Sequence, residues 1–313
     1  MKKFISLLLT GLLLCTGFVL SGCAVKGPEL EQLQKDLKAA GYYDNMMPES
    51  IRAIEKDMYA QALELTAVKT DKSEKDDQNN TVYTCELTFE SEILYIEAGY
   101  KITYTDGEIT SVNRINTDRF VRLTVPDYVS EVESFTYQNN TDINELVVAD
   151  GVTGLGASSF AGCTALKKVT IGGDVVMLAT ATFQGCTALE SVTLTGGYPL
   201  AVLKDCFNGC TALKEITFSS ELEFIGSYAF AGCAFTSLEF PDNVYQFSAS
   251  CFSGCKNLKS VNITPSMKTI DPTAFEGCEN LSKITVSPDN ENFKMDGKNL
   301  VENAGGTVIF TLG

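Results

Sequence analysis

Six phenylalanines, Phe160, Phe183, Phe207, Phe230, Phe252 and Phe275, recur at steps of 23, 24, 23, 22 and 23 residues, and each is followed by Gly-Cys two and three places on. Numbered from the Phe, apolar residues return at −8, −5, 0, +6, +9 and +11: Val152, Leu155, Phe160, Leu166, Val169 and Ile171 in one unit, Met267, Ile270, Phe275, Leu281, Ile284 and Val286 in the last. A period of this length is the mark of a solenoid. One unit has an alternating strand signal at +9 and +11 and a turn glycine at +2, but too little apolar surface to fold alone, so stacking on its neighbours buries it. The template also fits a seventh, degenerate unit with Val129, Val132, Tyr137 in the Phe position, Ile143, Leu146 and Val148. There Asn139 and Asn140 replace Gly-Cys. The 22-residue step has a visible cause: "GCAFTSL" lacks one residue relative to "GCTALKKV", which moves Phe235 and Leu238 one place early. Such a slip is expected to sit in a loop.

The regions on either side do not follow the period. Residues 1–22, with Lys2 and Lys3 ahead of the apolar run "FISLLLTGLLLCTGFVL", read as a secretory signal; a plain transmembrane anchor is the alternative. Residues 23–28 form a tether and 29–120 a small α+β domain. In that domain Leu30, Leu33 and Leu37 share a helical face closed by Gly41, and a second helix is expected near Glu49 with Ile51, Ile54 and Met58 inward. Alternating runs follow: Leu63/Leu65, Tyr83/Cys85/Leu87/Phe89, Tyr100/Ile102/Tyr104 and Ile109 to Ile115. They are separated by "DKSEKDDQNN" and an Asp106-Gly107 hairpin turn, which predicts an antiparallel meander. The repeat solenoid takes 121–313. Its tail, with Asp296-Gly297 and Gly305-Gly306 turns, reads as a capping hairpin.

Three resemblances rest on these residues. Leu20-Ser21-Gly22-Cys23 resembles the lipobox of bacterial lipoproteins, which implies a diacylglyceryl group on the Cys23 thiol and cleavage before it. The helix-plus-meander layout is similar to small cystatin-like modules of bacterial lipoproteins and carries no functional residue with it. The repeats over 121–313 resemble the BspA-like leucine-rich repeat family, with its "AF-x-GC-x-x-L-x-x-V-x-I-P" unit. Most units here lack the proline after the strand, although Pro126 and Pro241 keep it. The resemblance implies a β-rich leucine-rich repeat rod of about seven units on a bacterial cell surface, acting in adhesion or host interaction.

Composition removes other classes. There is no histidine, so Ser-His-Asp and Cys-His nucleophile pairs and His-ligated zinc are excluded. Only His-free chemistry such as a carboxylate pair on the sheet is left, and no two acids in the repeats align to form one; no enzyme and no cofactor are expected. The net charge of −16 repels nucleic-acid phosphates and anionic bilayers. Membrane attachment therefore falls to lipid on Cys23.

Cys163, Cys186, Cys210, Cys233, Cys255 and Cys278 all occupy +3. The column admits three readings: packing as small buried hydrophobes, partial disulfide bridging between neighbours, or metal binding. A zinc site shared by Cys206/Cys210 and Cys251/Cys255 fails, because two units of stacking separate the pairs by about 10 Å. The glycines of "GVTGLG" flank apolar slots with no Lys-Ser/Thr after them, which excludes a phosphate loop.

Outward strand positions form two polar columns. The candidate binding residues on them are Lys168, Thr170, Thr193, Glu215, Thr217, Glu239, Asn262 and Thr285. Thr suits wet strand positions in any case, and these columns hold none of the Trp, Tyr or Arg that dominate binding hot spots. Tyr198, Tyr228 and Tyr245 are the loop candidates. The sequence therefore predicts a monomeric, lipid-anchored extracytoplasmic protein whose solenoid binds an extracellular protein or glycan. An envelope scaffold without a ligand is the alternative, and a His-independent glycan-active enzyme the remoter one.

Overall fold

The structure is a computed structural model that describes residues 27–41, 64–91, 93–198 and 200–313. The expected signal, Cys23 and the helix near Glu49 lie outside the described residues. Helix α1 (Leu30–Ala39) buries Leu33 and Leu37 and ends before Gly41, whose φ of 71° terminates it. It packs on a meander of β1 (Glu64–Lys75), β2 (Thr81–Glu90), β3 (Leu94–Thr105) and β4 (Glu108–Val125), each antiparallel to the next. Cys85, Leu87 and Phe89 face inward from β2, and Leu94, Ile96, Ala98, Tyr100 and Ile102 from β3. The segment expected as a separator divides in two: Asp71 to Lys75 complete β1, and only residues 76–80 turn. Asp106 and Gly107, at φ 51° and 89°, make the tight hairpin, as both central positions of a type I′ turn require positive φ.

Seven solenoid turns follow, each giving one strand to each of two sides of the solenoid, where it pairs parallel with strands of neighbouring turns. They are β5 (Glu131–Val132) and β6 (Glu145–Val148), β7 (Gly154–Leu155) and β8 (Lys168–Ile171), β9 (Met177–Leu178) and β10 (Ser191–Leu194), then β11 (Leu200–Val202) and β12 (Glu215–Thr217). The last three turns are β13 (Leu222–Ile225) and β14 (Ser237–Leu238), β15 (Gln246–Phe247) and β16 (Ser260–Ile263), and β17 (Thr269–Ile270) and β18 (Lys283–Val286). A three-stranded antiparallel cap, β19 (Phe293–Asp296), β20 (Asn299–Glu302) and β21 (Val308–Thr311), closes the end. The tail thus adds one strand to the expected hairpin.

The repeat slots form the core. Tyr137, Phe160, Phe183, Phe207, Phe230, Phe252 and Phe275 stack ring on ring, with centroids 5.0, 5.6, 5.3, 5.3, 5.9 and 5.6 Å apart. From Phe160 to Phe252 the corner that aims the ring inward uses positive φ twice, at −2 (Ser158, Ala181, Asp205, Tyr228 and Ser250) and at the +2 glycine; Phe135 and Asn139 do the same beside Tyr137. Two glycines of "GVTGLG" serve close packing: a Cβ on Gly156 would lie 2.5 Å from the Ser134 backbone nitrogen, and one on Gly151 2.8 Å from the Asp127 carbonyl oxygen. One orphan polar atom sits in this core among the described residues, Ser159 Oγ at the −1 position, which Cys206, Ala229, Cys251 and Ala274 fill in other units.

Meander and solenoid share a strand. β4 pairs antiparallel with β3 along most of its length, from Glu108 to Leu123, and its last four residues, Arg122 to Val125, pair parallel with β6 on the other side. The expected division between 120 and 121 falls inside β4, and one buried cluster runs continuously from Leu33 to Ile309. The sheet orders are β1-β2-β3-β4-β6-β8-β10-β12 for the first, β14-β16-β18 for a separate continuation, and an unbroken β17-β15-β13-β11-β9-β7-β5 for the second. The shortened fifth unit is where the first sheet stops, so its missing residue reaches beyond the loop. Pro241 offers no N–H to a ladder, and the Phe240 N–H donates instead to Asn262 Oδ1 at 2.7 Å.

Candidate functional site

The strand-sharing of β4 sets the outward face. Residues paired across neighbouring strands point to the same side, so one row crosses the first sheet as Tyr95, Arg122, Glu145, Lys168, Ser191 and Glu215. A second row runs Thr124, Val147, Thr170, Thr193 and Thr217. Five of the candidate residues, Lys168, Thr170, Thr193, Glu215 and Thr217, thus share one face with the meander. The other three are set apart: Thr285 and Asn262 stand on β18 and β16 of the separate sheet, and Glu239 lies just past β14. Asn262 is engaged with its own backbone neighbours, since its Oδ1 accepts the Phe240 N–H and its Nδ2 donates to the Phe240 carbonyl at 2.9 Å. Of the loop tyrosines, Tyr198 and Tyr228 are exposed, and Tyr245 is half-buried against Phe224.

The joint supplies what the repeat columns lack. The Arg122 guanidinium lies over two rings, 5.2 Å from the centroid of Tyr95 and 5.5 Å from that of Phe120, a cation–π arrangement. Its Nε donates to Glu145 Oε2 at 2.6 Å, and Lys168 Nζ reaches Glu145 Oε1 at 3.2 Å. Glu145 is only 8% exposed. Burial works to raise its pKa, but the hydrogen bonds and charges of Arg122 and Lys168 prevail and hold the carboxyl below its ordinary value. Tyr95 donates to Glu97, and that bond, with burial, pushes the phenol up to about 12. A recess of about 550 Å³ opens beside the cluster, with Glu86, Glu97, Ile115, Phe120 and Lys167 among its walls. Tyr95, Phe120 and Arg122 escape a search of the repeats, yet a signal exists: one 23-residue step upstream of Glu145 lands on Arg122.

The thiol column is a packing device. All nine described cysteines are free and buried. Each +3 thiol donates to the carbonyl of the stacked aromatic one turn back: Cys163 to Tyr137, Cys186 to Phe160, Cys210 to Phe183, Cys233 to Phe207, Cys255 to Phe230 and Cys278 to Phe252, at 3.1 to 3.4 Å. Cysteine is small, apolar and a weak donor, which suits a buried carbonyl. Burial raises the thiols of Cys210, Cys233, Cys255 and Cys278, the last two to about 12 and about 11, so they stay protonated and able to donate. No group of three metal-ligating side chains gathers among the described residues, and no helix among them is long and apolar enough to cross a membrane.

Comparison with solved structures finds other repeat rods. A leucine-rich repeat protein from Bacteroides ovatus is similar at 20% identity and a TM-score of 0.41, over 54% of this chain and 55% of that one. A leucine rich cell surface protein from Faecalibacterium prausnitzii is similar at 23% identity and a TM-score of 0.36, over 52% of each chain. The leucine rich repeat protein of T. pallidum is similar at 19% identity and a TM-score of 0.38, over 53% of this chain and 73% of that one. The match thus spans about half the length of the first two proteins. No curated protein matches the chain. Six copies of the BspA type leucine rich repeat region match residues 111–199 and 200–297, more than half of the sequence, and the chain belongs to that family.

Proposed function

We propose that this protein is a lipid-anchored, extracytoplasmic binding protein of a bacterial envelope, without catalytic activity, and that its ligand, an extracellular protein or glycan, docks on the outward face of the first sheet. The observation that carries the reading is the continuity of that face through β4. It joins a threonine-rich repeat surface to the Tyr95–Phe120–Arg122 cluster, the aromatic and arginine composition that concentrates binding energy. Curved solenoids offer such extended surfaces to macromolecules. Lipid attachment is supported by the run Leu20-Ser21-Gly22-Cys23 behind an apolar segment; two positive charges leave with the signal, so the acyl chains are the anchor.

The test presents residues 24–313 to an array of extracellular-matrix proteins, mucins and glycans, beside Arg122→Ala and a variant with Thr170, Thr193 and Thr217 changed to Lys. Saturable binding is expected, with each variant at least tenfold weaker. Binding indifferent to both variants moves the site off this sheet, and the absence of any binding leaves an envelope scaffold. Cys23→Ser should abolish acyl labelling of the precursor; labelling that persists removes the lipid anchor.

A further inference from the structure

We propose a second, separate binding site in the N-terminal module: a saccharide cleft between helix α1 and the two turns at the far end of the meander. The cleft has a volume of about 790 Å³, within the range of small-ligand sites. It is bounded by α1 on one side and by the 76–80 turn and the Asp106-Gly107 hairpin on the other. It lies at the opposite end of β4 from the Arg122 cluster, on the order of 40 Å away at the usual rise per strand residue, so a ligand here does not depend on the repeat face.

The lining selects a class of ligand. Tyr83 and Tyr104 meet edge to face with centroids 5.6 Å apart, and around them stand Asp36, Gln78, Asn79 and Asn80. A carboxamide presents a donor beside an acceptor and a carboxylate presents two acceptors, in each case in one plane, the counterpart of adjacent sugar hydroxyls, each of which both donates and accepts. Tyrosine adds an apolar ring with a polar tip. Asp36 and Asp106 disfavour a phosphate or another anion, and Lys75, the one cation of the lining among the described residues, is engaged with the Asn79 carbonyl at 3.1 Å and Thr81 Oγ1 at 2.8 Å. A neutral polyhydroxylated ligand is what remains.

The cleft is also held in shape before any ligand arrives, which spares ordering entropy on binding. Asp76 accepts from the backbone N–H groups of Gln78 and Asn80 at 3.0 and 2.8 Å and from Asn80 Nδ2 at 2.9 Å. Thr105 Oγ1 donates to Asn80 Oδ1 at 2.8 Å and so ties one turn to the other. From the helix side the Asp36 carboxylate accepts from Gln32 Nε2 at 2.7 Å and from the Tyr104 hydroxyl at 3.2 Å. Helix, sheet and both turns are therefore one hydrogen-bonded frame around the opening.

The experiment titrates residues 24–313 with N,N′-diacetylchitobiose, cellobiose, lactose and mannobiose, read by calorimetry and by saturation-transfer NMR. Saturable binding of at least one disaccharide is expected, weakened about tenfold or more by Asp36→Ala and by Gln78→Ala. Gln78 is exposed in the turn, so its variant tests the site even where the helix variant loses stability. Arg122→Ala and the triple Thr-to-Lys variant should leave the affinity unchanged, which separates this result from the fate of the repeat-face reading. Failure of all four sugars to saturate overturns the proposal. So does binding that survives both cleft variants, and so does binding abolished by the repeat-face variants.

Discussion

The two solenoid sheets are built from the same units, yet the second runs unbroken through seven strands while the first stops at β12 and resumes at β14. The fifth unit lost its residue between the corner and the first-sheet strand, so the second-sheet side keeps its spacing and Phe224 still pairs with Gln246. On the first-sheet side Phe235 and Leu238 arrive early. Their side chains still reach the core, 0% and 3% exposed, while the backbone register is lost. Burial is non-directional and tolerates a shift of this size; a ladder of backbone hydrogen bonds, fixed in both spacing and direction, does not.

The largest test of this comparison removes what both sheets share. Phe230→Ala, in the middle of the ring column and against Phe207, Phe218, Phe235 and Phe252, should cost about 3–5 kcal/mol in denaturant unfolding. A loss under about 1 kcal/mol breaks the slot assignment. Next comes the patch at the break itself. Asn262→Ala leaves the Phe240 N–H and carbonyl without their present partners and should cost about 1–3 kcal/mol, with faster hydrogen exchange confined to β14 and β16. Restoring the missing residue works the other way: a Thr inserted between Cys233 and Ala234 should re-register β14 on β12, stabilise by about 1 kcal/mol and slow amide exchange in β12. Unchanged exchange there would show that the gap has another cause.

Two smaller effects separate the solenoid from the meander. The +3 thiols are raised above their ordinary 9.0, Cys278 and Cys255 chiefly by burial, to about 11 and about 12. Below pH 9 both states hold the protons. Above it the unfolded chain releases protons that the folded chain keeps, so stability falls as pH rises from 9 towards 12. Because six of these thiols line the solenoid and Cys85 alone is buried in the meander, exchange protection at pH 10 should fade first in the repeats. Ser159→Ala is the smallest step. It removes the orphan Oγ from a slot that other units fill with Ala or Cys and should stabilise by up to about 1 kcal/mol; a clear loss would mean that the hydroxyl has an undetected partner.

The repeat core was legible residue by residue because its signal is redundant. Val152, Leu155, Phe160, Leu166, Val169 and Ile171 all lie buried where a count from the Phe puts them. The meander was legible from alternation in Tyr83 to Phe89 and from Asp106-Gly107, while the acidic stretch from Asp71 blurred the end of β1, since exposed edge positions accept charge as readily as a turn does. The candidate face was half legible. Threonine columns follow from the period, and the count shows the slip in the fifth unit, but not that the slip cuts the ladder and sets Glu239, Asn262 and Thr285 apart. The Arg122 cluster joins the face only because a strand outside the recognisable repeats pairs with β6.

Period, slot and residue type are local and recurrent, so the amino-acid sequence by itself determined a stacked rod, its ring and thiol columns and its polar outer rows. Which strands end up as neighbours depends on hydrogen bonds between residues far apart in the chain. Only the tertiary structure decided that β4 serves two sheets' worth of pairing rules, that one lost residue cuts one ladder and spares the other, and that Tyr95, Arg122 and Glu145 meet. Side-chain burial follows composition within a unit, whereas register follows the geometry of pairs of units, and a single unit's sequence carries no record of its partner.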